Sequence, residues 1–186
     1  PLDKIEARQF IDWANQHFPQ VSINLYSGKD WMTDHLDQWS QEEARITGEK
    51  PHILPLLDPL MDATKPLHKL LLIGEAEEIQ ALYRAISADD FPSTAFYLSK
   101  ANYLEVTAKH VSKEDALVEL SNHYHLSLEE VLTMGDNFND LPMLKKAGIG
   151  VAMGNAPQEV KDEAAVVTKD NNENGAGQAV ETYVLI

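Results

Sequence analysis

Residues 131–144 read VLTMGDNFNDLPML, and the fold turns on this stretch. An apolar run, VLTMGD (131–136), ends in Gly135-Asp136, and a polar loop then carries a second acid, Asp140. A short apolar run closed by turn residues reads as a buried strand. LPMLKKAG (141–148) then reads as a helix, with Pro142 in its first turn and Gly148 at its end. Working outward, IGVAMG (149–154) is a strand, PQEVKDEAA (157–165) a helix and VVTK (166–169) a strand, with a closing helix from 176 to 184. On the other side, SKEDALVELSNHYH (112–125) is a helix with Ser112 as N-cap and Asp115 at the capping-box position. Strands alternating with helices predict β-α-β units and a parallel sheet, an α/β Rossmann-like core.

The first 105 residues have a different rhythm. IEARQFIDWANQHF (5–18) has helical spacing and stops at Pro19, and VSINLYSG (21–28) alternates as a half-buried strand that turns at Gly28. Residues 31–46 have mixed periodicity and contain a short helix, whereas 48–66 hold five of the chain's prolines and glycines and read as loop with at most brief structure. LHKLLLIGE (67–75), TAFYLSK (94–100) and YLEVTA (103–108) are strands, and AEEIQALYRAIS (76–87) is a helix. The expectation is an α+β domain with a mostly antiparallel sheet over 1–105, followed by the parallel-sheet domain over 106–186.

Composition sets the outer limits. Apolar residues make up 44% of the 186, ordinary for a globular protein, and no stretch approaches the ~18 apolar residues of a membrane span. The absence of cysteine excludes disulfides and thiolate metal sites and is compatible with a cytoplasmic location. PLDKIEARQF lacks the apolar core of a signal peptide. A net charge of −15 argues against nucleic acid and anionic membrane as partners, since both require a basic footprint. It also requires a local cation, metal or helix N-terminus if an anion is to bind.

In open parallel sheets, ligands bind beyond the carboxyl ends of the strands, which is where Asp136 falls. Gly135 allows the backbone to turn there without a Cβ clash. A carboxylate at that position is a hard-oxygen ligand suited to Mg²⁺, which takes one or two carboxylates plus phosphate and water. Asn137 and Asn139 offer amide donors, and Asp140 is near enough to orient the metal shell. The pattern alone carries a second reading equally well: an Asx-rich turn capping a helix, with Asp140 as the cap.

GDNFNDLPML followed by AGIGVAMGNAPQEVKDEAAVVTKDNNENGAGQAV resembles the C-terminal signature of the haloacid dehalogenase-like hydrolases, specifically the Cof-type phosphatases. EVTAKHVSKEDAL resembles the segment of that family that carries the phosphate-binding lysine. The resemblance is dense from Tyr103 to Val180 and looser before it, where the chain resembles the family's cap domain. It implies that Asp136 binds Mg²⁺, that Asp140 supports the metal site and is counted with it, that Asn139 contacts the substrate phosphate, and that Lys113 neutralises the phosphoryl oxygens. A lysine in the first turn of a helix is electrostatically misplaced, which favours a functional reason for Lys113. Asn155, Asn171 and Asn174 read as turn residues, and the scattered histidines do not form a metal site. In the cap, Tyr26, Lys29, Trp31, Glu43, Arg45 and Lys100 are candidates for recognising a small phosphorylated metabolite, although Tyr26 and Trp31 more often pack and Arg45 can simply pair with Glu42 or Glu43.

Such hydrolases attack phosphorus with the first aspartate of a D-x-D-G-T stretch, and the second acts as general acid and base. No two aspartates in this chain are separated by a single residue. The resemblance therefore implies a fragment that begins where the cap begins, drawn from a phosphatase of roughly 270 residues and inactive alone. The strand bearing the nucleophile would be central, so its absence leaves ladder groups unpaired and apolar helix faces bare. A preceding N-terminal segment or a homo-oligomer would complete the core. The alternative function is a non-enzymatic binding or regulatory module on the same scaffold. A calcium-binding loop on an unrelated fold is the remaining alternative, and GDNFND lacks the twelve-residue ligand pattern of an EF-hand.

Overall fold

The computed structural model describes residues 1–185, apart from the side chain of Ala88. The chain divides into two compact units, Pro1–His110 and Val111–Ile186. The division falls later than the expected boundary at 105/106, which would cut through a strand: β6 runs Tyr103–Ala108 and stays paired to its end, where Ala108 opposes Thr94.

The first unit opens with α1 (Lys4–His17), capped by Asp3, whose carboxylate accepts from the amides of Ile5 and Glu6 at 2.9 Å. Ala7, Phe10, Ile11 and Ala14 recur on one side of α1 and are buried. A hairpin of β1 (Ser22–Ser27) and β2 (Asp30–Thr33) turns at Gly28, where φ is +60°. Next come α2 (Gln38–Thr47), β3 (His52–Ile53), α3 (Leu57–Met61), β4 (Lys69–Ile73), α4 (Ala76–Ala85), β5 (Thr94–Lys100) and β6. The stretch 31–46 thus starts as strand before it becomes helix, and the Pro-rich stretch holds a two-residue strand and a five-residue helix. The sheet order is β3-β2-β1-β4-β6-β5, antiparallel throughout except for the short β2–β3 pair.

Alternation gives this sheet two distinct faces. Ile23, Leu25, Leu70, Leu72, Leu104 and Val106 meet Phe10 of α1 and Ile79 and Leu82 of α4 in the main core. On the other face Leu71, Ile73 and Tyr103 cluster with Tyr26 and with Trp39 of α2. Here the buried Asn24 accepts from the Trp31 indole at 2.8 Å, and the buried Glu43 accepts from the Tyr103 hydroxyl at 2.7 Å. Burial, and for Tyr103 also the Glu43 hydrogen bond, pushes both the Tyr26 and Tyr103 phenols above their ordinary value of 10.0. The unfolded chain therefore loses these protons first. The contribution is complete below about pH 10 and disappears as pH rises beyond it. Urea denaturation read by tryptophan fluorescence is expected to show that alkaline fall. Tyr103→Phe is expected to make it shallower while costing about 1–3 kcal/mol at neutral pH, because Glu43 loses its donor. An unchanged alkaline limb would refute this account.

The second unit contains α5 (Lys113–Tyr124), β7 (Leu132–Gly135), α6 (Leu141–Lys146), β8 (Ile149–Ala152), α7 (Gln158–Glu163), β9 (Val166–Val167) and α8 (Gly175–Tyr183). Its sheet is β7-β8-β9, parallel in both pairs, which is the α/β core expected from the alternation. Val151, Ala152, Leu144 and Val160 are fully or almost fully buried. β7 has no strand on its outer side among the described residues. Beside it runs an apolar groove of about 490 Å³ lined by Leu117, Leu120, Leu126, Val131, Met134 and Met143. An unpaired ladder and a bare apolar helix face are what the sequence led us to expect of this unit. Among the described residues, no helix is long and apolar enough to cross a membrane.

Candidate active site

β7 delivers Gly135 and Asp136 to its carboxyl end, and the loop returns to α6 through Asp140. The two acids have opposite environments. Asp136 is exposed, whereas Asp140 is 3% exposed. One oxygen of Asp140, Oδ2, accepts from the amides of Asp136 at 2.9 Å and Asn137 at 3.0 Å. The other, Oδ1, is ion-paired with the Lys113 ammonium. Asp140 does not cap α6 with its side chain, so the helix-cap reading fails. Its carboxylate instead reaches back and ties down the loop that precedes it.

Gly135 avoids a Cβ clash, as expected, and the clash is with a side chain rather than one imposed by a left-handed turn. Its φ is not positive, so its backbone conformation does not itself demand glycine. A Cβ at this position would stand 2.3 Å from the Asp140 Cβ and 2.6 Å from its Cγ. Glycine is there to let the Asp140 side chain close over the strand end.

Lys113 is the first residue of α5, behind the Ser112 cap that accepts from the Asp115 amide at 2.9 Å. Its poor position against the helix dipole is offset by Asp140, and half of its side chain (51%) remains exposed. Asp140 thus joins the Lys113 ammonium on one oxygen to the Asp136 backbone amide on the other. Asn139 is half-buried, and its amide oxygen is buried without a hydrogen-bond partner. Phe138, which the sequence reading passed over, is exposed at the loop tip.

The reading of Asn155 as a turn residue misses its main contact. Its Nδ2 donates to Asp136 Oδ2 at 3.0 Å, and its Oδ1 accepts from the Asn171 amide at 3.2 Å. Asn171 and Asn174 are turn residues as read, Asn174 with φ +58°. The one available signal was position: Asn155 follows β8, whose carboxyl end lies beside that of β7.

Several residues singled out in the first unit are already committed. Trp31 and Glu43 are buried in the contacts described above. Arg45 pairs with Glu42 through two bonds of 2.6 and 2.8 Å, which hold the Glu42 carboxyl below the usual carboxylate range. Lys100 lies 4.0 Å from the centre of the Tyr103 ring. Tyr26 stacks on Trp31 with 6.2 Å between ring centres, with the Lys69 ammonium 5.0 Å from its own ring centre.

For a metal, the donor set is sparse. Among the described residues, no group of three or more His, Cys, Asp or Glu could hold an ion. Both Asp140 oxygens are engaged by protein groups, and this geometry suits an orienting group beside the site, the supporting place in which Asp140 was counted with Asp136. Of the two acids, Asp136 is the exposed one. One carboxylate, with the other positions left to water and phosphate, fits Mg²⁺ and does not fit an all-protein zinc or calcium cage.

A family model described as haloacid dehalogenase-like hydrolase matches residues 1–180. A putative phosphatase of Haemophilus influenzae is 40% identical over 182 residues, covering 97% of this chain and 66% of the relative. A Bacillus subtilis protein named 5-amino-6-(5-phospho-D-ribitylamino)uracil phosphatase is 40% identical over 87 residues, 47% of this chain and 35% of the relative. A solved haloacid dehalogenase-like hydrolase from Bacteroides thetaiotaomicron superposes with a TM-score of 0.81 at 30% identity, covering 97% of this chain and 67% of that one. The chain belongs to the haloacid dehalogenase-like hydrolase family. It spans about two thirds of the Haemophilus relative's length and about one third of the Bacillus relative's.

Proposed function

We propose that this chain supplies the cap and the C-terminal part of the core of a Mg²⁺-dependent phosphatase. Its substrates are small phosphorylated metabolites such as sugar phosphates, and the reaction runs through an aspartyl-phosphate whose attacking aspartate is not in this sequence. The observation that supports the reading is an exposed Asp136 whose backbone amide donates to Asp140, the buried acid that also pairs with Lys113. The names of the Haemophilus and Bacillus relatives support it.

In this reading the first unit is the substrate-selecting cap, and a preceding segment or a second copy completes the core. Asp136 would hold Mg²⁺, which when bound supplies charge neutralisation to the phosphoryl oxygens. Asp140 fixes the loop through two amides and keeps the lysine at hand. Lys113 neutralises charge that builds on the transferring group, and its exposed half leaves the ammonium accessible to a phosphate. Asn139 gives the phosphate an amide contact. The net charge of −15 makes these local positive elements necessary for any phosphate to approach.

The test is hydrolysis of p-nitrophenyl phosphate with Mg²⁺, by this chain and by the full gene product. The chain alone is expected to be inactive and the full product active, with Asp136→Asn lowering kcat by about a hundredfold. Robust turnover by the chain alone would overturn the assignment of the attacking group to sequence outside it. An inert full product would favour a binding or regulatory module instead.

A further inference from the structure

We propose that Asn155 is a positioning residue for Asp136: its side-chain amide holds one carboxylate oxygen so that the other faces outward for a cation. The inference rests on the phosphatase reading for its purpose but on separate observations for its geometry. Both ends of the amide are engaged, Nδ2 by Asp136 Oδ2 at 3.0 Å and Oδ1 by the Asn171 amide at 3.2 Å. The oxygen must face the N–H of Asn171, so the NH₂ must face the carboxylate.

The turn carrying Asn155 is itself held firmly. The Ala156 amide donates to the Met153 carbonyl at 2.9 Å, and the Gly154 amide donates to the Lys169 carbonyl at 3.1 Å. A Cβ on Gly154 would lie 2.7 Å from the Asp170 nitrogen, so only glycine lets the two loops approach this closely. The Asn171 side of the bridge is fixed as well, because Asp170 accepts from the Asn172 amide at 2.6 Å. The loop after β9 is thereby coupled through one side chain to the acid at the end of β7.

The choice of an amide matters electrostatically. Lys113 meets Asp140 with a full positive charge and neutralises it. Asn155 holds Asp136 with a neutral donor, which restricts the side chain and leaves its charge intact. A carboxylate that is oriented but not neutralised is what a hard divalent cation requires.

The test uses the isotopically labelled full gene product. The Asp136 χ1 rotamer is read from three-bond couplings, and Mn²⁺ binding from paramagnetic broadening of the Asp136 and Asn155 amides. Wild type is expected to show one Asp136 rotamer. Asn155→Ala and Asn155→Asp are both expected to show averaging or a turned carboxylate. The aspartate variant keeps an oxygen for the Asn171 N–H, so an unmoved Asn171 amide signal establishes that the loop is still folded. Mn²⁺ affinity is expected to weaken about tenfold in Asn155→Ala. Asn172→Ala, which alters only a neighbouring turn contact, is expected to change neither reading. An unchanged single rotamer in Asn155→Asp overturns the inference. Absence of Mn²⁺ broadening at Asp136 in wild type would instead count against the metal reading of that acid, and the rotamer measurement would still decide the role of Asn155.

Discussion

Asp140→Ala is expected to destabilise the second unit by about 3 kcal/mol, whereas Asp136→Ala, four residues earlier in the same loop, should stay within about 0.5 kcal/mol. Asp140 accepts two backbone amides and a lysine with a carboxylate that is 3% exposed. Hydrogen bonds to a charged group contribute about 1.5–3 kcal/mol each, and removing one partner from a buried ion pair costs about 3–5 kcal/mol. The exposed half of Lys113 can return to water, which places the total at the lower end. Asp136 accepts a single amide at the surface. The three tryptophans, Trp13, Trp31 and Trp39, all lie in the first unit, so the measurement should be amide exchange of the β7 and β8 strands. Equal effects at the two positions would refute the division of labour drawn here.

Gly135→Ala is expected to cost about as much, near 3 kcal/mol, the upper end for overpacking. The added methyl would meet the Asp140 Cβ at 2.3 Å, and Cβ is the rigid root of that side chain rather than its free end. Either the strand end or the start of α6 must move, and the two amide contacts of Asp140 weaken together. A second substitution identifies the cause. Asp140→Ala retains the offending Cβ and should give no relief. In an Asp140→Gly background the further cost of Gly135→Ala should drop below about 1 kcal/mol, a coupling of the size seen for residues in direct contact. If the two costs simply add, the glycine is needed for some other reason.

Much of the fold could be read from the chain because local signals agreed with tertiary needs. LHKLLLIGE announced β4, whose Leu70, Leu71, Leu72 and Ile73 are all buried between two partner strands. Ser112 announced the start of α5, and its hydroxyl does accept from the Asp115 amide. The stretch 31–46 was harder, because β2 is only four residues long and its Trp31 is buried by a contact to Asn24, seven positions away, that no periodicity records. At the site, acids and lysine could be found because their types and spacing belong to a recognisable motif. The contact of Asn155 with Asp136 could not, because it depends on where the turn after β8 points that side chain. Nor could the purpose of Gly135, which depends on where the Asp140 side chain turns. Both are facts about the return path of a loop, and sequence spacing along a strand or helix does not encode that path.

The outer flank of β7 has one more physical consequence. Leu132, Thr133, Met134 and Gly135 include neither a charge nor a proline, the residues with which natural sheets usually blunt an exposed margin. In the chain taken without the segment or second copy proposed to complete its core, the mutual repulsion of molecules carrying a charge of −15 is a means of keeping such margins apart. That defence weakens once dissolved ions screen fields beyond about 8–10 Å, so colloidal behaviour of the isolated chain should be governed more by ionic strength than by its folding free energy.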